Sequence, residues 1–175
     1  EFTQVTIDAT APKGESQEAW SRKLRYQAFC DKIGKDDLLL TAHHKDDTAE
    51  TLLLQLFRGA GPAGLAAMPL ICDLGNGKHC RPLLYYDRRD LIAWAKINNL
   101  SWIEDDSNRD KKFDRNYLRY DILPGIKNRW PGISQTLSRS ARIQADTNNL
   151  INELASIDLE KCFNKSNNTL SISGL

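Results

Sequence analysis

Asp37-Leu38-Leu39-Leu40-Thr41-Ala42-His43-His44-Lys45-Asp46-Asp47 sets a short apolar run directly against the densest polar cluster in the chain. The run follows a turn and is rich in branched side chains, as expected of a strand buried on both faces of a parallel sheet. From Lys45 to Phe57 the pattern becomes helical, with Asp46 or Asp47 placed to cap free N–H groups at the positive end of the helix dipole. In an open α/β sheet, the point where a buried strand hands over to a helix is the carboxyl edge at which ligands bind. The fold class is therefore read as α/β.

Working outward, residues 4 to 9 alternate enough for a short strand, and Ala11-Pro12-Lys13-Gly14 break it before a helix from Ser16 to Ile33 that Gly34 ends. Downstream, Arg58-Gly59 closes the second helix. Met68 to Cys72 and His79 to Leu83 read as a hairpin around Gly- and Asn-rich residues 73 to 78 that supply positive φ, and a helix from Asp87 to Asn98 follows. Residues 105 to 115 are polar and turn-forming, leading into a helix near Asn116 that Pro124-Gly125 is expected to interrupt. Pro131 starts a last helix, whose apolar positions Leu137, Ala141, Ile143, Leu150, Ile151, Leu154 and Ile157 suit a long amphipathic connection between two domains.

Composition narrows the class. With 41% hydrophobic and 27% charged residues over 175 positions, the chain has room for one domain and part of another, and collagen, coiled coil and disorder fit poorly. No stretch reaches the roughly 20 apolar residues that cross a bilayer, so a cytoplasmic protein without membrane partners is expected. The chain opens on Glu1-Phe2 without Met and stops at Gly174-Leu175, so both ends read as cuts in a longer chain. Cys30, Cys72, Cys80 and Cys162 contain no C-x-x-C pair, which argues for free thiols over a zinc ribbon or a dithiol redox site. The net charge of +1 announces no nucleic-acid partner, but residues 107 to 130 hold seven basic and three acidic side chains, a candidate RNA-facing patch.

On the helix after the polar cluster, Asp47, Glu50, Thr51, Leu54 and Arg58 fall three or four residues apart and form one stripe. A stripe of carboxylates, a hydroxyl and a guanidinium can face a cationic substrate and a phosphate. It can equally be a helix cap followed by a solvated face, and paired His and Asp can belong to a two-metal phosphoesterase. A two-metal site would need a further acidic or His cluster beside these residues to complete it. Residues 58 to 65 contain a formal G-x-G-x-x-G, but these glycines follow a helix rather than a strand and include Pro62, so a helix-terminating loop fits better than a dinucleotide fingerprint.

Taken together, His43-His44-x-Asp46-Asp47-x-x-Glu50-Thr51 and Arg58-Gly59-x-Gly61-x-x-Gly64-Leu65-x-x-Met68 resemble the core signature of the tRNA(Ile)-lysidine synthetases. Flanking matches are Glu15-x-x-Glu18-x-x-x-Arg22-x-x-Arg25-Tyr26, Arg81-Pro82-Leu83-Leu84 with Arg88, Glu104-Asp105-Asp106-Ser107-Asn108, and Arg115-Asn116-x-x-Arg119, so the resemblance runs from residue 14 to 145. It implies a partial parallel-sheet nucleotide-binding domain of the adenine nucleotide alpha hydrolase type over 1–130, followed at 131–175 by a helical linker and the start of a tRNA-contacting domain. In that family, which belongs to the PP-loop ATP pyrophosphatases, a Ser-Gly-Gly-x-Asp-Ser loop cradles the nucleotide phosphates. The loop is absent from this sequence, so the chain taken alone is expected to bind ATP poorly and to be inactive.

The implied reaction adenylates a tRNA wobble cytidine with loss of pyrophosphate, after which the lysine ε-amine attacks and AMP leaves. ATP and Mg²⁺ are the implied cofactors and tRNA(Ile) and L-lysine the partners, and a homodimer is compatible. By analogy His43, Asp47 and Arg115 surround the reacting center, and Glu50 and Thr51 bind lysine. Arg22, Arg25, Arg58, Lys111, Lys112 and Arg119 are phosphate or tRNA contacts, and no resident protein-bound metal is expected. Alternatives are a tRNA thiolation enzyme of the same superfamily, which the cysteine spacing disfavors, a passive tRNA-binding fragment, and the metal phosphoesterase.

Overall fold

The computed structural model describes residues 2–103, 110, 112–164 and 169–171. Helix α1 (Gln17–Lys32) starts at Ser16, whose hydroxyl accepts from the Ala19 N–H, and stops at Ile33. Strand β1 (Leu38–Leu40) then leads into α2 (Lys45–Phe57) and the short turn α3 (Pro62–Leu65). A hairpin of β2 (Ile71–Leu74) and β3 (Gly77–Cys80) follows, then α4 (Arg88–Ile97). The sheet order is β1-β3-β2, with β1 parallel and β2 antiparallel to β3. A mixed α/β architecture thus stands as expected.

The second half is helical. Helix α5 (Asp114–Tyr117) runs through a π-helical turn (Leu118–Ile122) into α6 (Leu123–Arg129), then α7 (Ile133–Cys162) and a two-stranded ribbon of β4 (Phe163–Asn164) and β5 (Thr169–Leu170). Leu53 of α2, Leu118 and Leu123 form the buried core, with Leu54, Ile122 and Leu137 packed against it. Helix α2 is thereby clamped between the α5–α6 segment and α7. Asp46, in the first turn of α2, pins the same three segments, accepting from Lys127 Nζ at 2.9 Å and Ser134 Oγ at 2.6 Å.

Four local expectations change. Residues 4 to 9 form no strand: no described strand offers a ladder, and Thr3, Val5 and Ile7 instead line a groove with Arg25, Ala28 and Phe29 of α1. Leu38 and Leu40 are 57% and 61% exposed rather than buried, because β3 holds one flank of β1 and no described strand pairs with the other. In the hairpin turn Gly75 has φ +54°, whereas Asn76 is not among the residues with positive φ. Pro124 does not interrupt its helix; the π turn directly before it absorbs the missing N–H and the ring's clash with the preceding turn.

Candidate functional site

His44 caps α2, and its backbone N–H donates to Asp47 Oδ2 at 2.9 Å, so the first turn fixes one carboxylate by satisfying its own free donor. One turn on, Glu50 lies on the same face and is 1% exposed. Across from them, four residues apart on the α5–π segment, stand Arg115 and Arg119. Arg119 donates from Nε to Glu50 Oε1 at 2.6 Å, and from Nη2 to Glu50 Oε2 at 2.8 Å and Asp47 Oδ1 at 2.9 Å. Arg115 donates from Nε to Glu50 Oε2 at 2.8 Å, and more loosely from Nη2 to Asp47 Oδ1 at 3.2 Å and Asp47 O at 3.4 Å. Two carboxylates and two guanidiniums therefore form a neutral cluster in which both Glu50 oxygens are engaged. Burial works against the Arg119 cation, but the Glu50 hydrogen bond and the two negative charges outweigh it and raise its pKa.

Arg115 also lines a cavity of about 500 Å³ with Arg22, Thr51, Arg58, Arg81 and Lys112. Five basic side chains on that wall outnumber two acidic ones, Glu18 and Asp114, so its potential favors an anion. A smaller cavity of about 320 Å³ brings His43 beside Arg22, Arg25, Tyr26 and Thr41. Arg22 belongs to both cavities and lies 4.8 Å over the Tyr26 ring. His43 Nδ1 is 2.7 Å from Thr41 Oγ1, which in turn lies 2.8 Å from Nε2 of the buried His79.

The structure thus gathers Asp47, Glu50, Arg115 and Arg119 into one cluster, puts Thr51, Arg22, Arg58 and Lys112 on the wall of the larger cavity, and sets His43 with Arg25 in the smaller one. Lys111 and the acidic segment 104–108 lie outside the described residues. Arg115, Arg119 and Lys127, three of the seven basic residues read as an RNA-facing patch, point inward to carboxylates. Sequence reasoning gave no role to Thr41 or His79. The available signal was that His79 and Arg81 stand two apart on a strand, and so share a face.

The sequence profile of the PP-loop domain family matches residues 1–126, more than half of the chain. The chain belongs to the PP-loop domain family. Curated relatives of this PP-loop chain bear the name tRNA(Ile)-lysidine synthase. The Methylococcus capsulatus protein is 50% identical over 151 residues, covering 86% of this chain and 34% of that protein. The Coxiella burnetii protein is 45% identical over 159 residues, covering 91% and 35%. That of Francisella tularensis subsp. holarctica is 47% identical over 174 residues, covering 98% and 43%. The resemblance read from the motifs is borne out, and the chain spans between 34% and 43% of the length of these three relatives.

The histidines of the PP-loop chain give a pH prediction. Burial pushes His43 down from 6.5 to about 4, with Asp47 opposing and Arg81, Arg115 and Arg22 reinforcing the shift; burial also lowers His44 and His79. The unfolded chain therefore takes up protons that the folded chain refuses. Stability present in full above pH 6.5 falls as the pH drops toward the His43 value of about 4. Discounted for partial solvation, His43 alone accounts for about 1–2 kcal/mol of that loss. Urea unfolding at several pH values between 7 and 4 should show the decline, and a flat midpoint across that range would contradict it.

Proposed function

We infer that this chain carries part of the catalytic domain of an enzyme that joins L-lysine to the wobble cytidine of tRNA(Ile), using ATP and passing through an adenylated tRNA. The observation that carries this reading is that Arg115 belongs both to the buried carboxylate cluster and to the wall of the cationic cavity. A carboxylate pair, neutralized by two guanidiniums, and a pocket suited to phosphate thus share a side chain. The name the relatives share, tRNA(Ile)-lysidine synthase, supports the same reaction over thiolation.

In this reading Arg22, Arg58, Lys112 and Arg115 offset charge that builds on phosphate oxygens during adenylation. Glu50, with Asp47 and Thr51, receives the lysine. Since both Glu50 oxygens already hold guanidinium donors, the incoming ammonium must take over a position from one of them. Arg115 is placed to yield: its two Asp47 contacts are longer than the corresponding Arg119 bond, and it faces the cavity. The sequence contains no Ser-Gly-Gly-x-Asp-Ser stretch, so the described contribution to ATP is side-chain charge. Among the described residues no three His, Cys, Asp or Glu side chains gather to hold a metal ion. Mg²⁺ would come with ATP, coordinated by the phosphate oxygens.

The division at residue 130 is part of the proposal: residues 1–130 serve catalysis, and 131–175 form a linker toward a tRNA-contacting domain. It is supported by the family match, which ends at residue 126, and by the exposed second half of α7 over residues 149–161; the first turns of α7 dock on α2 through Ser134 and Leu137. None of the described helices is long and apolar enough to cross a membrane, and the reaction is assigned to the cytoplasm, where its tRNA substrate is found.

Incorporation of radiolabelled lysine into tRNA(Ile) transcript by the intact protein, dependent on ATP, tests the reading; no incorporation under any ATP concentration would end it. A second expectation concerns RNA. Lys112→Ala should weaken tRNA binding a few-fold and reduce the slope of log affinity against log salt by about one. An unchanged slope would remove Lys112 from the phosphate contacts.

A further inference from the structure

Strands β1 and β3 are parallel with Leu39 opposite His79, and Thr41 N–H donates to Cys80 O at 3.1 Å, continuing the ladder. Two residues beyond Leu39, Thr41 presents its hydroxyl to the face that carries His79 and Arg81. A single file of hydrogen bonds results. Arg81 donates from Nη1 to Pro69 O at 2.7 Å, and its Nη2 is 3.0 Å from His79 Nδ1. His79 Nε2 lies 2.8 Å from Thr41 Oγ1, and Thr41 Oγ1 lies 2.7 Å from His43 Nδ1.

The direction of this file follows from its first member. A guanidinium has donors and no acceptor, so His79 Nδ1 must accept and its proton must sit on Nε2. His79 Nε2 therefore donates to Thr41, the Thr41 hydroxyl proton is left for His43 Nδ1, and the His43 proton stands on Nε2. The file also conducts nothing. If His43 released its Nε2 proton and drew a replacement through Thr41, His79 would give up its Nε2 proton while facing an arginine that supplies none, and would end as an imidazolate.

The geometry points to Thr41 and His79 as positioning residues that hold His43 as a neutral Nε2–H donor, so that His43 donates to a substrate oxygen and does not take a proton there. The oxygen belongs to an anionic group, because Arg22 and Arg25 line the same cavity as His43. The catalytic half of this inference rests on the lysine-ligation reading above; the protonation pattern does not.

Two measurements test the halves separately. In the protein labelled with ¹⁵N-histidine, two-bond nitrogen–proton correlations should show His43 and His79 each as a single tautomer protonated on Nε2. Thr41→Val, which keeps the shape and removes the hydroxyl, should turn the His43 signals into an average of tautomers, and Thr41→Ser should restore the single one. A wild-type His43 protonated on Nδ1, or Val and Ser variants with the same tautomer, would overturn the relay. In the lysine-incorporation assay, Thr41→Val should lower kcat on the order of tenfold with little change in the KM for tRNA, and Thr41→Ser should recover it. Equal rates for Val and Ser would overturn the positioning role. Absence of turnover in the wild-type protein would sink the ligation reading, and with it the catalytic half, while the NMR result would still decide the relay.

Discussion

Glu50→Ala is expected to lower the unfolding free energy by about 3 kcal/mol, within the range seen when one member of a buried ion pair is removed. Glu50 is 1% exposed and accepts three hydrogen bonds, two from Arg119 and one from Arg115. Removing its carboxylate leaves two guanidiniums facing Asp47 alone. Both arginine side chains remain 23–25% exposed, so water can reach them, which keeps the loss below the upper end for sealed pairs. The same change should abolish lysine incorporation. Glu50→Gln separates the effects only in part: the amide keeps the shape and one acceptor oxygen, but its NH2 must face an arginine donor and the charge is gone, so it should recover a fraction of the folding energy and none of the affinity for the ammonium. A double-mutant cycle with Arg119→Ala should return a coupling of about 1.5–3 kcal/mol. If Glu50→Ala unfolds within about 0.5 kcal/mol of the native protein, as an exposed surface position would, the cluster is not the buried unit described here.

Why the cluster was only partly legible follows from what periodicity encodes. Spacing along one helix places Asp47, Glu50 and Thr51 on a common face, and the first turn of α2 offers its free N–H to Asp47. Both are local facts, and both were readable. The pairing of Glu50 with Arg119 joins residues 69 apart, and nothing in the spacing of residues 107 to 130 tells whether a basic side chain turns to RNA or inward. The same limit explains β1. An apolar triplet after a turn is rightly a strand, but its exposure depends on which neighbors pair with it, and Leu38 and Leu40 flank a sheet of three strands. At residues 4 to 9 alternation suggested a strand, but no described strand pairs with it, and Val5 and Ile7 stay exposed along a groove beside α1. Thr41 and His79 were invisible as a pair because their contact is set by the register of two parallel strands.

Gly77→Ala should be comparably damaging although the residue carries no functional group. Gly77 opens β3 opposite Leu74, and a Cβ there would lie 2.5 Å from Asp37 O, 2.8 Å from Ile33 Cγ1 and 2.9 Å from Gly34 O. Two of those atoms are backbone and cannot rotate away. Its φ is not in the left-handed region, so the obstacle is space rather than torsion. Relief requires β3 to move away from the turn that delivers β1, which strains the Lys78 N–H bond to Asp37 O at 3.0 Å and the register below it. Overpacking of this kind costs about 2–4 kcal/mol when the neighbors are main chain. The displacement should reach the site as well, because Thr41 and His79 sit on the two strands being parted, and lysine incorporation should fall with stability. Gly125→Ala is the control: it lies inside α6 with nothing within 4 Å of its added Cβ, so it should stabilize the protein by about 0.5–1 kcal/mol through helix propensity alone. If urea midpoints move equally for the two variants, the close approach of β3 to the α1–β1 turn is not what sets the strand register.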